Sequence, residues 1–227
     1  GCDSIDGITV DELTAPRTNY VQEQDLDLSV GAIKAISGDK TTTIALNAEG
    51  VVVEGYDKSK LGDQELTVTY KEKVAKYTVT VVPRMQVTGQ DAYYFVGEEL
   101  NLNKGIVKIA ADNAKTFTEY KLSDSAIKIE GFDSSTAGEK DVTVTCTANG
   151  NTYSTVVKAT ILEVSTVTLK APNKTAYNSH DGVIDLNGGY VTVKDSNNRL
   201  SKEYSLTKDM ISGFNLNAAT LENRTTP

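Results

Sequence analysis

The chain has 227 residues, 39% hydrophobic and 24% charged, with a formal net charge of −8 and a sequence pI near 4.8. Such a composition supports true apolar cores, while an acidic surface repels phosphate backbones and anionic lipid headgroups; nucleic acid and electrostatic membrane docking are set aside. No apolar run approaches the ~20 residues of a membrane span, and residues that usually carry chemistry are few: one histidine (His180), two cysteines (Cys2 and Cys146) and no tryptophan.

In chain order, Cys2 comes first. Gly1-Cys2, followed by small and acidic residues, resembles the mature start of a bacterial lipoprotein, in which the thiol carries a diacylglyceryl group. A secreted protein rarely leaves an unpaired thiol exposed, and no basic-then-apolar leader precedes it, so an export signal is expected to have been removed. Cys2 is the expected lipid attachment site, with residues 1–4 as an anchor segment. The alternative is an incidental free thiol.

From Asn19 the text begins to repeat. "NYVQEQDLDLSVG" (19–31) is echoed by "YYFVGEELNLNKG" (93–105) and "AYNSHDGVIDLNGG" (176–189): a tyrosine, then Leu-polar-Leu or Ile-Asp-Leu, then a glycine. Asp27, Asn101 and Asp185 take equivalent places, read here as strand positions. Strand-like "AIKAI", "IVKIA" and "YVTVK" follow the glycines, and then "LNAEGVVVEG", "LSDSAIKIEG" and "LTKDMISG".

The clearest repeat comes next. "GYDKSKLGDQELTVTY" (55–70) and "GFDSSTAGEKDVTVTC" (131–146) match over 16 residues, 76 positions apart. Tyr56 and Phe132 are expected to plug a core, Asp57 and Asp133 to bond the backbone ahead, and Gly62 and Gly138 to supply a positive-φ turn. The alternation in "LTVTY" and "VTVTC" is that of half-buried antiparallel strands. After polar gaps "KEKVAK" and "TANGNT", alternation resumes at Tyr77 and Tyr153, again 76 apart. Each pair is predicted to be a β-hairpin, with 66–70 against 77–81 and 142–146 against 153–159; Asn149-Gly150 is a strong turn signal. A third copy starts at "GFNLNAAT", with Phe214 in the aromatic place.

Three units of seven short strands without helical periodicity predict face-to-face sandwiches. Together these motifs resemble the bacterial immunoglobulin-like domains of the group 3/4 type, which occur as tandem arrays in secreted and surface-anchored bacterial proteins. The expected fold is all-β, tandem immunoglobulin-like antiparallel β-sandwiches arranged end to end: residues 1–83, 84–163, and 164–227, the last lacking its final two strands. Cys146 departs from the pattern, since a tyrosine is usual there. The resemblance implies no catalytic residues.

The other candidates have ordinary readings. Cys146 is expected to act as a small buried hydrophobe. His180 lies in a polar turn with no second histidine to build a metal site or triad. Asp11-Glu12, Asp25-Leu26-Asp27 and Glu98-Glu99 lack the spacing of a calcium loop and are expected to be surface groups, with calcium at a join between units as the alternative. Tyr93-Tyr94-Phe95 is the densest aromatic cluster, open to sugar stacking or to core packing. "NKT" (173–175) and "NRT" (223–225) match the N-glycosylation pattern, which a bacterial lipoprotein would not normally use. No catalytic, cofactor or metal residue is expected. The functional expectation is a non-enzymatic spacer or adhesion-type protein at a bacterial surface, outside the cell, held to the membrane only through Cys2. Its partner would be an extracellular protein or polysaccharide, not nucleic acid. The alternatives are a ligand-binding module, or accessory domains of a larger surface enzyme.

Overall fold

The computed structural model describes residues 4–212; Cys2, Phe214 and the "NRT" triplet lie outside them. Its first repeat holds β1 (Gly7–Val10), β2 (Asn19–Val21), β3 (Ala32–Ser37), β4 (Lys40–Ala45), β5 (Val52–Glu54), β6 (Gly62–Tyr70) and β7 (Lys73–Val82). These strands sort into a sheet ordered β1-β3-β4 and a sheet ordered β2-β7-β6-β5. The second repeat holds β8 (Met85–Thr88), β9 (Tyr93–Phe95), β10 (Ile106–Ala110), β11 (Phe117–Lys121), β12 (Ile127–Glu130), β13 (Gly138–Ala148) and β14 (Asn151–Leu162). It reuses the same plan: β8-β10-β11 and β9-β14-β13-β12. In the third repeat the described strands are β15 (Thr166–Lys170), β16 (Tyr190–Lys194) and β17 (Ser201–Ser205), in that order, followed by a 3-10 turn at Lys208–Met210.

Contacts divide the chain into two compact units. Among the described residues, one holds those through Gln90 with Leu102–Lys128 and Val144–Thr155; the other holds Asp91–Asn101, Ile129–Thr143 and those from Val156 on.

The alternating runs place their apolar face inward. In the first repeat Ile8, Ile33, Ala35, Leu46 and Val68 form one buried cluster, and Tyr20, Leu66, Val79 and Val81 form another. The second repeat buries Tyr94, Val142, Ala159 and Ile161. Not every pair is antiparallel, as the sequence reading had it: β2 runs parallel to β7, and β9 parallel to β14.

Both hairpins form; the second pairs 142–146 with 153–157 as the sequence suggested, but the first is tighter, with 66–70 against 73–77. The turn between β6 and β7 is Lys71-Glu72 alone, at φ 45° and 66°, and Leu66 faces Tyr77. Most of "KEKVAK" is therefore strand, not gap. In the second hairpin Asn149-Gly150 turns at φ 52° and 78°, the primed geometry that Asn-Gly adopts most readily. Its strands have 11 and 12 residues against 9 and 10 in the first. Two extra residues on each strand shift the register beyond the turn by four. Val157, not Tyr153, thus stands where Tyr77 does, and the 76-residue spacing of Tyr77 and Tyr153 was a coincidence of alternating patterns.

The loop motifs behave as their chemistry demands. Asp57 Oδ1 accepts from Ser59 N at 2.9 Å and Ser59 Oγ at 2.6 Å, and Asp133 does the same with Ser135 at 2.9 and 2.6 Å. Those hydroxyl and backbone donors hold both carboxyls below the usual carboxylate range. Gly62 and Gly138 have φ 97° and 131°, as expected of turns into the strands. Gly131, at φ 88°, also lies so close to the Asp141 carbonyl that a Cβ would sit 2.6 Å from it; only glycine fits. Tyr56 and Phe132 are half-buried rather than fully enclosed, each packed on the preceding tyrosine: Tyr56 on Tyr20 at 5.2 Å between ring centroids, Phe132 on Tyr94 at 4.9 Å.

In the third repeat, Val167 and Leu169 on β15 are 63% and 66% exposed, whereas Met85 on the matching β8 is 7% exposed. No described residue covers that face of the β15-β16-β17 sheet as the four-stranded sheets cover theirs.

One polar atom in the first core is an anomaly. The Tyr77 hydroxyl is buried with no hydrogen-bond partner among the described residues, and burial pushes its pKa up to about 12. An unpaired buried hydroxyl costs about 1–3 kcal/mol, so Tyr77→Phe is expected to raise the unfolding free energy in urea, whereas Tyr20→Phe, which breaks satisfied bonds, is expected to lower it. The raised pKa also fixes the alkaline response. Below the ordinary value of 10.0 the stability is fully present; as pH rises from there toward about 12 the unfolded chain ionises first and stability falls. Tyr77→Phe should shallow that decline in an alkaline melt series, and equal slopes in the two proteins would contradict the assignment.

Candidate functional site: loop clamps and the contacts between repeats

Each repeat carries one device that holds its longest loop. The Tyr20 hydroxyl accepts from Asp27 N at 3.1 Å and donates to Asp27 O at 3.2 Å. Tyr177 treats Asp185 the same way, at 2.8 and 3.0 Å, and the Tyr94 hydroxyl accepts from Asn101 N at 3.2 Å. Asp27, Asn101 and Asp185 thus lie in the clamped loop and not on strands, which corrects the sequence reading. Their shared spacing reflects how far a tyrosine reaches.

The loop after Tyr20 also meets the next repeat. Arg17 donates from Nε to Asn19 O at 2.8 Å and from Nη2 to Gln24 Oε1 at 2.9 Å and Asp112 O at 2.6 Å. Its guanidinium lies 4.5 Å from the Tyr20 ring centroid, a cation–π arrangement. Gln24 Nε2 adds a bond to the same Asp112 carbonyl at 3.0 Å. Beneath these groups Val21, Ala110 and Ala114 form a buried apolar cluster with Val82 packed against it. Arg84, in the connector, donates to Ala110 O at 2.9 Å and pairs with Asp112 Oδ1 at 2.9 Å. The contact is both apolar and hydrogen-bonded.

Between the second and third repeats the residue in Gln24's place is Glu98, four positions after the clamp tyrosine in each case. Its carboxylate pairs with Lys202 and accepts from the Tyr204 hydroxyl at 3.4 Å. Burial alone would lower the Lys202 pKa, but the Glu98 carboxylate outweighs it and holds the ammonium above its ordinary range. One position in the repeat therefore carries an amide where it faces a carbonyl and an acid where it faces an amine.

The residues singled out from sequence fall elsewhere. Tyr94 and Phe95 are buried and only Tyr93 is exposed, so the aromatic cluster is largely core. Cys146 is buried and unpaired, its thiol pushed up by burial. His180 is exposed in its turn. Asp11 is buried, with Oδ1 accepting from Leu13 N and lying 3.8 Å from Lys34; Asp25 pairs with Lys58 at 3.2 Å. Among the described residues no three acidic, histidine or cysteine side chains group as metal ligands.

Arg17→Ala removes three hydrogen bonds and a cation–π contact at once. It is expected to lower stability by about 1–3 kcal/mol and, in calorimetry, to separate the unfolding of the first repeat from that of the second.

In Bifidobacterium longum subsp. longum, the exo-beta-1,6-galactobiohydrolase is 27% identical over 167 residues, 68% of this chain but 11% of that protein. The chain thus spans only about a tenth of this curated relative. A solution structure of a protein provisionally described as a surface protein is 34% identical, covering 35% of this chain and 89% of that one with a TM-score of 0.25. The family model for the bacterial Ig-like domain (group 3) matches residues 13–81 and again 87–160, together more than half of the sequence. With its two sandwiches of one strand order, the chain belongs to the bacterial Ig-like domain family, group 3, and carries that domain twice in tandem.

Proposed function

We propose that the chain is a non-enzymatic module of an exported bacterial surface protein, spacing or presenting what it is joined to. The observation that carries this reading is the filled contact between the first two repeats, where an apolar cluster sits under the Arg17–Asp112 bond. A joint with buried apolar groups and a bridging guanidinium resists hinging, whereas a flexible linker would carry neither. Domains of this family are commonly extracellular and typically non-catalytic. Among the described residues no helix is long and apolar enough to cross a membrane.

A second reading is supported by the similarity to a galactobiohydrolase much longer than this chain: these repeats would be accessory domains of a larger surface enzyme. The two readings share one expectation. The 227-residue chain should hydrolyse no aryl glycoside or glycan, and turnover abolished by a single substitution within it would overturn both. Extending the protein by a further repeat at the surface separates them: a spacer gains reach in antibody-accessibility measurements, whereas an accessory domain changes substrate capture. Lipid attachment at Cys2 belongs to the same proposal. Fatty-acid labelling of the native protein should vanish in Cys2→Ala, and undiminished labelling would remove the anchor.

A further inference from the structure

The second sandwich departs from the first at its hairpin end, and the departure makes a cleft. Its four extra hairpin residues extend one wall past the point where the first hairpin turns. The position held by the large Tyr70 in the first repeat is held by Cys146 in the second, across the strand pair from Tyr153. Tyr120 stands on β11 opposite Val107, as Ile44 stands opposite Ile33 on β4. The second repeat thus loses the ring at the Tyr70 position and, where the first has Ile44 and Lys73, carries half-buried rings, Tyr120 and Tyr153. Between them lies a cleft of about 250 Å³ with Ile109 and Ala148 in its lining and Arg84, Asp112, Tyr120, Asn149, Asn151 and Tyr153 as its polar and aromatic groups.

We propose that this cleft binds a neutral saccharide. Two tyrosine rings offer apolar surface to the C–H face of a sugar and hydroxyls to its rim. Among the described residues neither hydroxyl is spent on a hydrogen bond within the protein. Asn149 and Asn151 are exposed side-chain amides, which both donate and accept, as a hydroxyl-rich ligand requires. Arg84 and Asp112 are paired at 2.9 Å, so they offer further polar atoms while cancelling the charge that would draw an ion. The first repeat has none of this. Its hairpin tip is Lys71-Glu72, and Tyr70 packs against its core. The site does not depend on the spacer reading, since a spacer needs no cleft.

The test is an amide chemical-shift titration of the full chain with neutral disaccharides (β-linked galactobiose, cellobiose and maltose), with digalacturonic acid as the charged comparison. At least one neutral sugar should give saturable shifts confined to residues 118–120 and 148–153. Tyr153→Ala and Asn151→Ala should each weaken that binding roughly tenfold, and Tyr93→Ala, an exposed aromatic elsewhere, should leave it unchanged. Asn151 lies at an exposed hairpin tip, so its variant reports on binding even if Tyr153→Ala unfolds. No saturable shift with any neutral sugar, shifts with the acidic sugar alone, or undiminished binding in a folded Asn151→Ala would each overturn the proposal.

Discussion

The phenol oxygens of Tyr20, Tyr94 and Tyr177 each reach across a loop to the backbone seven or eight residues later. A loop of that length costs conformational entropy to order, and a bond to the backbone of one residue, two-way for Tyr20 and Tyr177, holds it at its middle. In the first two repeats the same rings also serve the core. Tyr20 and Tyr94 are almost wholly buried, and each carries the half-buried Tyr56 or Phe132 against its face. The anchor loop and the clamped loop are thus joined through one aromatic pair. Removing the tyrosine frees both.

That constraint also prepares the contact with the next repeat. Because the loop after Tyr20 is fixed, Gln24 can accept from Arg17 and from Val21 N while donating to Asp112 O. The second loop presents Glu98 to Lys202 and Tyr204. Four residues past the clamp, the chain can thus tune each contact with one side chain and leave the sandwich untouched. Such economy suits a tandem array, in which the fold is kept and only the facing groups change.

Much of this was legible in the letters because it is local. The tyrosine-to-glycine loops, the Asp-x-Ser turns and the alternation of "LTVTY" each record an interaction within about eight residues, and repetition made them stand out. The strand register was harder. Alternating patterns with period two match at any even offset, so Tyr153 looked like the partner of Tyr77 until the longer hairpin showed Val157 there. The Arg17–Asp112 bond spans 95 positions, and neither residue belongs to a repeated motif, so nothing in the sequence joined them. The cleft was hidden for a similar reason. It arises from what one repeat lacks relative to the other, a Tyr-to-Cys change and four extra residues, visible only once the two sandwiches can be compared.

Clamped loops and a filled contact couple the first repeat to the strands that follow it. Residual dipolar couplings of the full chain test this directly, by comparing amides of β6 and β7 with those of β8, β10 and β11. A single alignment tensor fitting both sets is the predicted result. Two distinct tensors would mean that the repeats move independently, contradicting that coupling.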